Sequence, residues 1–156
     1  MDDAGFRAFV ERAIPRRAER WVRRGIWDPA RAIEASREGY AQAFPQGRLT
    51  PHQHLLDVIE QASGARIGEV WCETRETGGK VDFNIQWLYI EPEFRRRGFG
   101  AEVLRLLEED ARRRGAERTR LIVWMDNPDA IRLYSKLGYV TQTMGMAKSL
   151  TPGPPT

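Results

Sequence analysis

Arg95-Arg96-Arg97-Gly98-Phe99-Gly100-Ala101 stands between an extended apolar run, Val81 to Ile90, and a helical pattern that opens near Ala101. A strand, a glycine-bearing turn through Glu91-Pro92-Glu93 and a helix start, in that order, make an anion site. Two glycines let the main chain curl until its N–H groups point inward, and the helix N-terminus adds partial positive charge. Three arginines stand around the turn. Two other phosphate loops are excluded: the Gly-Lys-Ser/Thr of a P-loop is absent, and the small third position of a dinucleotide fingerprint is filled by Val103.

A second segment gives the first its context. The helix Ala101 to Arg114 ends at Gly115, and Leu121-Ile122-Val123-Trp124-Met125 then reads as a buried strand, within a run from Arg118 to Met125. Next comes Asn127-Pro128-Asp129-Ala130-Ile131-Arg132-Leu133-Tyr134-Ser135-Lys136-Leu137-Gly138-Tyr139, a helix capped by Asp126 or Asn127 and closed by Gly138. The pair resembles the GNAT superfamily of acyl-CoA-dependent N-acetyltransferases. Arg95, Gly98 and Gly100 match the motif that binds the coenzyme A pyrophosphate there; Asn127, Ala130, Leu133, Tyr134, Gly138 and Tyr139 match the motif that carries a cofactor-contacting Asn and a Tyr acid. The likeness runs from about Leu55 to Leu150. The first third departs from it, because Met1 to Arg24 reads as helix where relatives open with a strand.

The resemblance implies an α/β (α+β) single-domain fold: a mixed, mostly antiparallel sheet flanked by helices, with one parallel strand pair splayed around the cofactor. The pattern along the chain agrees. Two amphipathic helices come first, one with a kink expected at Pro15, the other expected to be capped by Asp28-Pro29. Strands at His54–Glu60, Arg66–Glu73 and Val81–Ile90 form an antiparallel meander, the next crossover gives a parallel pair, and strands are expected from Tyr139 to Leu150. Residues 1–150 are read as one domain and 151–156, Thr-Pro-Gly-Pro-Pro-Thr, as a disordered tail.

Composition narrows the classes. The 156 residues are 41% hydrophobic, enough for a proper core, and no apolar run approaches a membrane span, so a cytoplasmic protein with no membrane partner is expected. The 25 basic residues are nearly balanced by 22 acidic ones, and the arginines are spread over helix faces, so nucleic acid is not an expected partner despite a pI of about 9.3. Cys72 stands alone and His52 and His54 lack a companion ligand, so no metal is expected.

Acyl transfer to an amine needs a held thioester, a neutral amine, an oxyanion donor and a proton for the leaving thiolate. The resemblance implies acetyl-CoA (coenzyme A) as acyl donor, held by the main chain of Leu88, Tyr89 and Ile90, by Arg95, Arg96, Arg97, Gly98, Phe99, Gly100 and Ala101, and by Asn127 and Tyr134. A backbone N–H near Leu88 would meet the oxyanion. Tyr134 would be the acid, although its place in the apolar stripe Ala130, Leu133, Leu137 also suits a core ring. Many relatives carry a carboxylate base in the stretch that is Gln86-Trp87-Leu88-Tyr89 here, and none stands there. Glu73 ranks first as a substitute, followed by Asp82, His52 and His54. The expected activity is therefore acetyl transfer to a primary amine, of a small molecule by preference, by direct attack in a ternary complex, in a monomer or homodimer. A protein N-terminus or lysine as acceptor, or an acyl-CoA sensor without turnover, are the alternatives.

Overall fold

The computed structural model describes residues 1–148 and 150, which divide into two compact units, Met1–Ile122 and a second that begins at Val123. The first unit opens with helix α1, Asp3–Arg23, whose N-cap Asp2 accepts a 2.7 Å hydrogen bond from the Gly5 amide. The helix passes through Pro15 without interruption. Helix α2, Ala32–Ala43, starts later than Asp28-Pro29 suggested: the Asp28 carboxylate accepts the Ala30 N–H, closing a turn, and Arg31 precedes the helix without a side-chain cap. Apolar side chains at helical spacing join the two. Phe9, Ala13 and Ile14 of α1 and Tyr40 of α2, with Phe44 just beyond it, form a buried cluster, and the Ser36 hydroxyl donates 2.9 Å to the Ile14 carbonyl.

Four strands follow in the spatial order β1 (Gln53–Ile59), β2 (Arg66–Thr77), β3 (Lys80–Ile90) and β4 (Arg118–Leu121). The first three pair antiparallel; β4, reached through helix α3 (Phe99–Arg113), pairs parallel to β3 from Asp82↔Arg118 to Ile85↔Leu121. Alternation sends Leu55, Trp71 and Trp87 to the face that packs on the α1–α2 cluster. Val70, Cys72, Phe83 and Ile85 fall on the opposite face, and α3 buries Val103, Leu104, Leu107 and Ala111. Each such fully buried aliphatic or aromatic side chain contributes about 2 kcal/mol. Burial, ahead of a smaller repulsion from Asp110, pushes the Cys72 thiol above its ordinary value, so it is filler there and no nucleophile.

Two charged groups lie inside the first unit. Glu69 on β2 is fully buried and takes Arg12 at 2.7 Å, Arg16 at 3.5 Å and Arg66 at 2.6 Å, which ties α1 to the sheet. Asp82 on β3, 1% exposed, accepts both ends of Arg118 at 2.7 and 3.0 Å and Arg120 at 3.3 Å, fixing β4 in register.

Two expectations are corrected. The run Leu121–Met125 is strand only as far as Leu121; beyond it Ile122 is 91% and Met125 77% exposed. Apolar composition marks a candidate strand, but a strand exists only where a neighbour takes its hydrogen bonds, and β3 pairs no further than Ile85. For the same reason the stretch from Tyr139 to Leu150 forms no strand among its described residues, and Val140, Met144 and Met146 are exposed. The second unit contains helix α4, Pro128–Lys136. The tail 151–156 lies outside the described residues.

Removing one partner of a buried charge cluster costs about 3 kcal/mol, whereas an exposed pair is worth under about 1 kcal/mol. Glu69→Gln is therefore expected to lower Tm by about 5–10 °C in a thermal melt, with Glu19→Ala, which removes the exposed Arg23 pair, within about 2 °C of wild type. A Glu69→Gln melt as high as wild type contradicts the tie between α1 and β2. Hydrogen bonds from Arg118 foremost, with Arg120 adding to them against the cost of burial, hold the Asp82 carboxyl below its ordinary value. A depressed carboxyl stabilises the fold above the unfolded value, about 4, and loses that contribution as pH falls through the folded one. Asp82→Asn should accordingly be less stable than wild type at pH 7, with the gap closing below about pH 4 in urea titrations.

Candidate active site

After Ile90 the chain makes a 3-10 turn, Pro92–Phe94, and enters the glycine loop. Arg96 has φ 62° and Gly98 φ 87°, so two left-handed residues flank Arg97. Such alternation turns successive N–H groups toward one side, forming a concave anion site. Gly98 is the N-cap of α3, and its carbonyl accepts Ala101 at 3.1 Å and Glu102 at 3.2 Å. The Phe99 and Gly100 amides belong to the first turn, where helix geometry supplies no carbonyl partner, and the helix dipole adds to their attraction for an anion.

The arginines around the loop point in different directions. The Arg95 Nε donates 2.8 Å to the Ile90 carbonyl while its guanidinium lies 5.1 Å from the Tyr89 ring centre. Arg97 instead pairs with Glu60 at 3.1 Å and lies over Phe94 and Phe99. Arg95, Tyr89 and Ile90 thus share one cluster, and Arg97 leans toward the β1–β2 end.

The end of β3 is shaped by a register break. Trp71 faces Trp87 and Cys72 faces Ile85, so Gln86 is the extra residue of a β-bulge. The Glu91 N–H bonds the Ile67 carbonyl of β2, and backbone alternation then directs the N–H and C=O of Leu88 and Ile90 the other way, to the side where β4 pairing has stopped. The Leu88 N–H and C=O and the Ile90 N–H are open to a ligand's amides, while the Ile90 carbonyl takes the Arg95 Nε. The Tyr89 main chain points to β2, leaving its ring as what it presents, with the Arg16 guanidinium 4.1 Å from its centre.

Among the candidate bases, Glu73 lies next to the bulge. Its carboxylate accepts Gln86 Nε2 at 3.0 Å and Arg75 at 2.9 and 3.1 Å, and it is 16% exposed. Asp82 is taken up by its arginines. His54 sits on the other sheet face, stacked on Phe83 and 2.5 Å from the Thr74 hydroxyl, with burial foremost pushing its pKa down. His52 is exposed at the strand entry, φ 65°. Trp27, on the inter-helix loop, stacks on Trp21 at 5.2 Å.

In the second unit Asn127 caps α4, its side-chain oxygen accepting the Ala130 N–H at 3.3 Å. Tyr134 lies about two turns further on, its ring centre 5.7 Å from that of Tyr139. Burial, and after it Tyr139, raises the Tyr134 phenol above its ordinary value. It stays protonated at neutral pH. Among the described residues no cluster could hold a metal ion.

Sequence reasoning missed Glu69, the Gln86 bulge and the arginine stripe of α1. The stripe was detectable, since Arg12, Arg16 and Arg20 recur every fourth residue; the bulge has no sequence signal.

Residues 24–139 match the model of the acetyltransferase (GNAT) family. The uncharacterized N-acetyltransferase YdgE of Bacillus subtilis is 29% identical over 96% of this chain and 95% of its own. An acetyltransferase of Yersinia enterocolitica is 32% identical over 66% of this chain and 71% of its own. The crystal structure of the uncharacterized N-acetyltransferase YycN of B. subtilis superposes with a TM-score of 0.89 at 25% identity, over 97% of this chain and 96% of that one.

A Cβ at Gly98 would meet nothing within 4 Å, so the demand for glycine there is conformational and not spatial. Gly98→Ala is expected to lose about 1 kcal/mol in chemical denaturation and Gly98→Asn distinctly less, because Asn tolerates the left-handed region. Equal losses would contradict this reading of the loop.

Proposed function

The chain belongs to the GNAT family of acetyltransferases, and on that premise we propose that it moves an acetyl group from acetyl-CoA to a primary amine of a small molecule. The observation that carries the proposal is one continuous segment: a strand whose outer main-chain groups lose their partner after Ile85, followed by a left-handed glycine loop that opens a helix. The residues present suit the donor. Amides from Gly98 to Gly100 would take the pyrophosphate, Arg95 would add charge to it, and Leu88 and the Ile90 N–H would pair with the pantetheine amides. The bound donor supplies the activated thioester.

The Leu88 N–H would take the charge that develops on the thioester oxygen as the amine attacks. The N–C bond forms, the C–S bond breaks, and Tyr134 would give its proton to the departing sulfur. The amine's proton would leave through Glu73, directly or by water. The protein is expected to act in the cytoplasm. A second reading, binding without turnover, is favoured by the absence of a carboxylate from Gln86-Trp87-Leu88-Tyr89, the stretch that matches where many relatives carry one.

Thiol release from acetyl-CoA over a panel of amines tests the proposal: turnover of at least one amine is expected, and donor binding without turnover on any would favour the sensor. Tyr134→Phe keeps the ring, so Tm should hold while kcat falls roughly 10- to 10⁴-fold. Since burial raises the phenol, wild-type kcat should show no alkaline loss from this group below about pH 10. Full activity in Tyr134→Phe would remove the residue from the chemistry.

A further inference from the structure

Arg12, Arg16 and Arg20 lie on one line of α1, four residues apart, where like charges repel. Glu69 compensates the first two. Arg20 has no carboxylate partner among the described residues, and its guanidinium lies 5.0 Å from the centre of the Trp87 ring. Two donors there are buried without a partner, the Arg20 Nε and the Trp87 indole N–H. Burial lowers the Arg20 pKa, Arg17 and Arg24 push it the same way, and Tyr40 alone opposes them.

A half-buried cation with no counter-ion and orphaned donors beside it is costly unless something negative arrives. Its place is informative. Trp87 directly follows the bulge residue Gln86, at the point where β3 loses β4. An acceptor amine approaching a thioester held along Leu88 and Ile90 would pass this corner with any second functional group in reach of α1.

We propose that Arg20, backed by Trp87, is a subsite for an anionic group on the acceptor, so that the substrate is a small amine that also bears a carboxylate or a phosphate. This rests on the acetyl-transfer reading for the substrate's role but not for the anion site itself. The nearby positive charge of Arg17 and Arg24 strengthens the field there, whereas an uncharged amine would leave Arg20 uncompensated. Rejection of neutral analogues follows from the same geometry, since a site built around a buried charge is left unpaired without its partner.

The experiment has two readouts. In steady-state kinetics with acetyl-CoA, alanine is compared with alaninamide, and phosphoethanolamine with ethanolamine, in wild type, Arg20→Gln and Arg20→Lys. At least one anionic member is expected to have a KM about 10- to 100-fold below its neutral partner, and the pair that discriminates says whether carboxylate or phosphate is read. Arg20→Gln should erase that preference by raising the anionic KM alone, with Arg20→Lys restoring part of it. Equal KM values within both pairs, or equal losses on neutral and anionic members, overturn the proposal. Independently of turnover, the indole N–H resonance of Trp87, assigned through Trp87→Phe, is followed during titration with inorganic phosphate and with acetate. A saturable shift in wild type that is absent in a folded Arg20→Gln supports the subsite even if no amine is acetylated; no shift in wild type overturns it.

Discussion

Beyond Ile85 the amides and carbonyls that β3 turns away from β2 have no strand to bond, because β4 ends at Leu121. Backbone polar groups are rarely left unpaired inside a protein, so the place where a sheet stops pairing must be open to water or to a ligand's own amides. The Gln86 bulge sharpens the break, since the extra residue increases local twist and re-aims Trp87 and Tyr89. The glycine loop follows within one short turn. Hydrogen-bonding groups suited to an extended amide chain and to an anion thereby follow one another along a single stretch of chain, mostly from main chain and so with little demand on side-chain identity.

That stretch needs a rigid frame. Glu69 supplies one side by holding three arginines, two of them from α1, against β2, and Asp82 supplies the other by clamping Arg118 and Arg120 of β4. Each carboxylate is buried, so each cation is oriented and not merely attracted. The consequence reaches the acceptor side as well: with Glu69 committed to Arg12 and Arg16, Arg20 is left to face Trp87 alone.

Much of this was legible in the residues. Gly98 and Gly100 after an apolar run disclosed the strand, loop and helix, and Asn127 with Tyr134 supplied the second motif, because turn and cap chemistry is local and leaves its mark in a few adjacent positions. The meander was readable from turn residues, and its boundaries shifted by at most four residues. The extent of β4 was not readable. Ile122 to Met125 are as apolar as any strand, but pairing is a property of two segments, and a single run cannot announce that its neighbour has turned away. The same limit applies to Tyr139–Leu150. Buried Glu69 and Asp82 were hidden for another reason, since a carboxylate in a strand pattern looks alike whether it faces water or three arginines. Arg97, grouped with the loop on sequence, is drawn off by Glu60, which lies 37 residues away in the chain.

The central claim is that the unpaired end of β3 and the amides that open α3 together hold the acyl donor. Hydrogen exchange at single amides tests it most directly. With saturating acetyl-CoA, the Leu88, Ile90, Gly98, Phe99 and Gly100 amides should exchange at least tenfold more slowly than in the free protein, while the Tyr89 amide, directed at β2, should change little. Tight donor binding with these amides exchanging at their free rates would contradict the account.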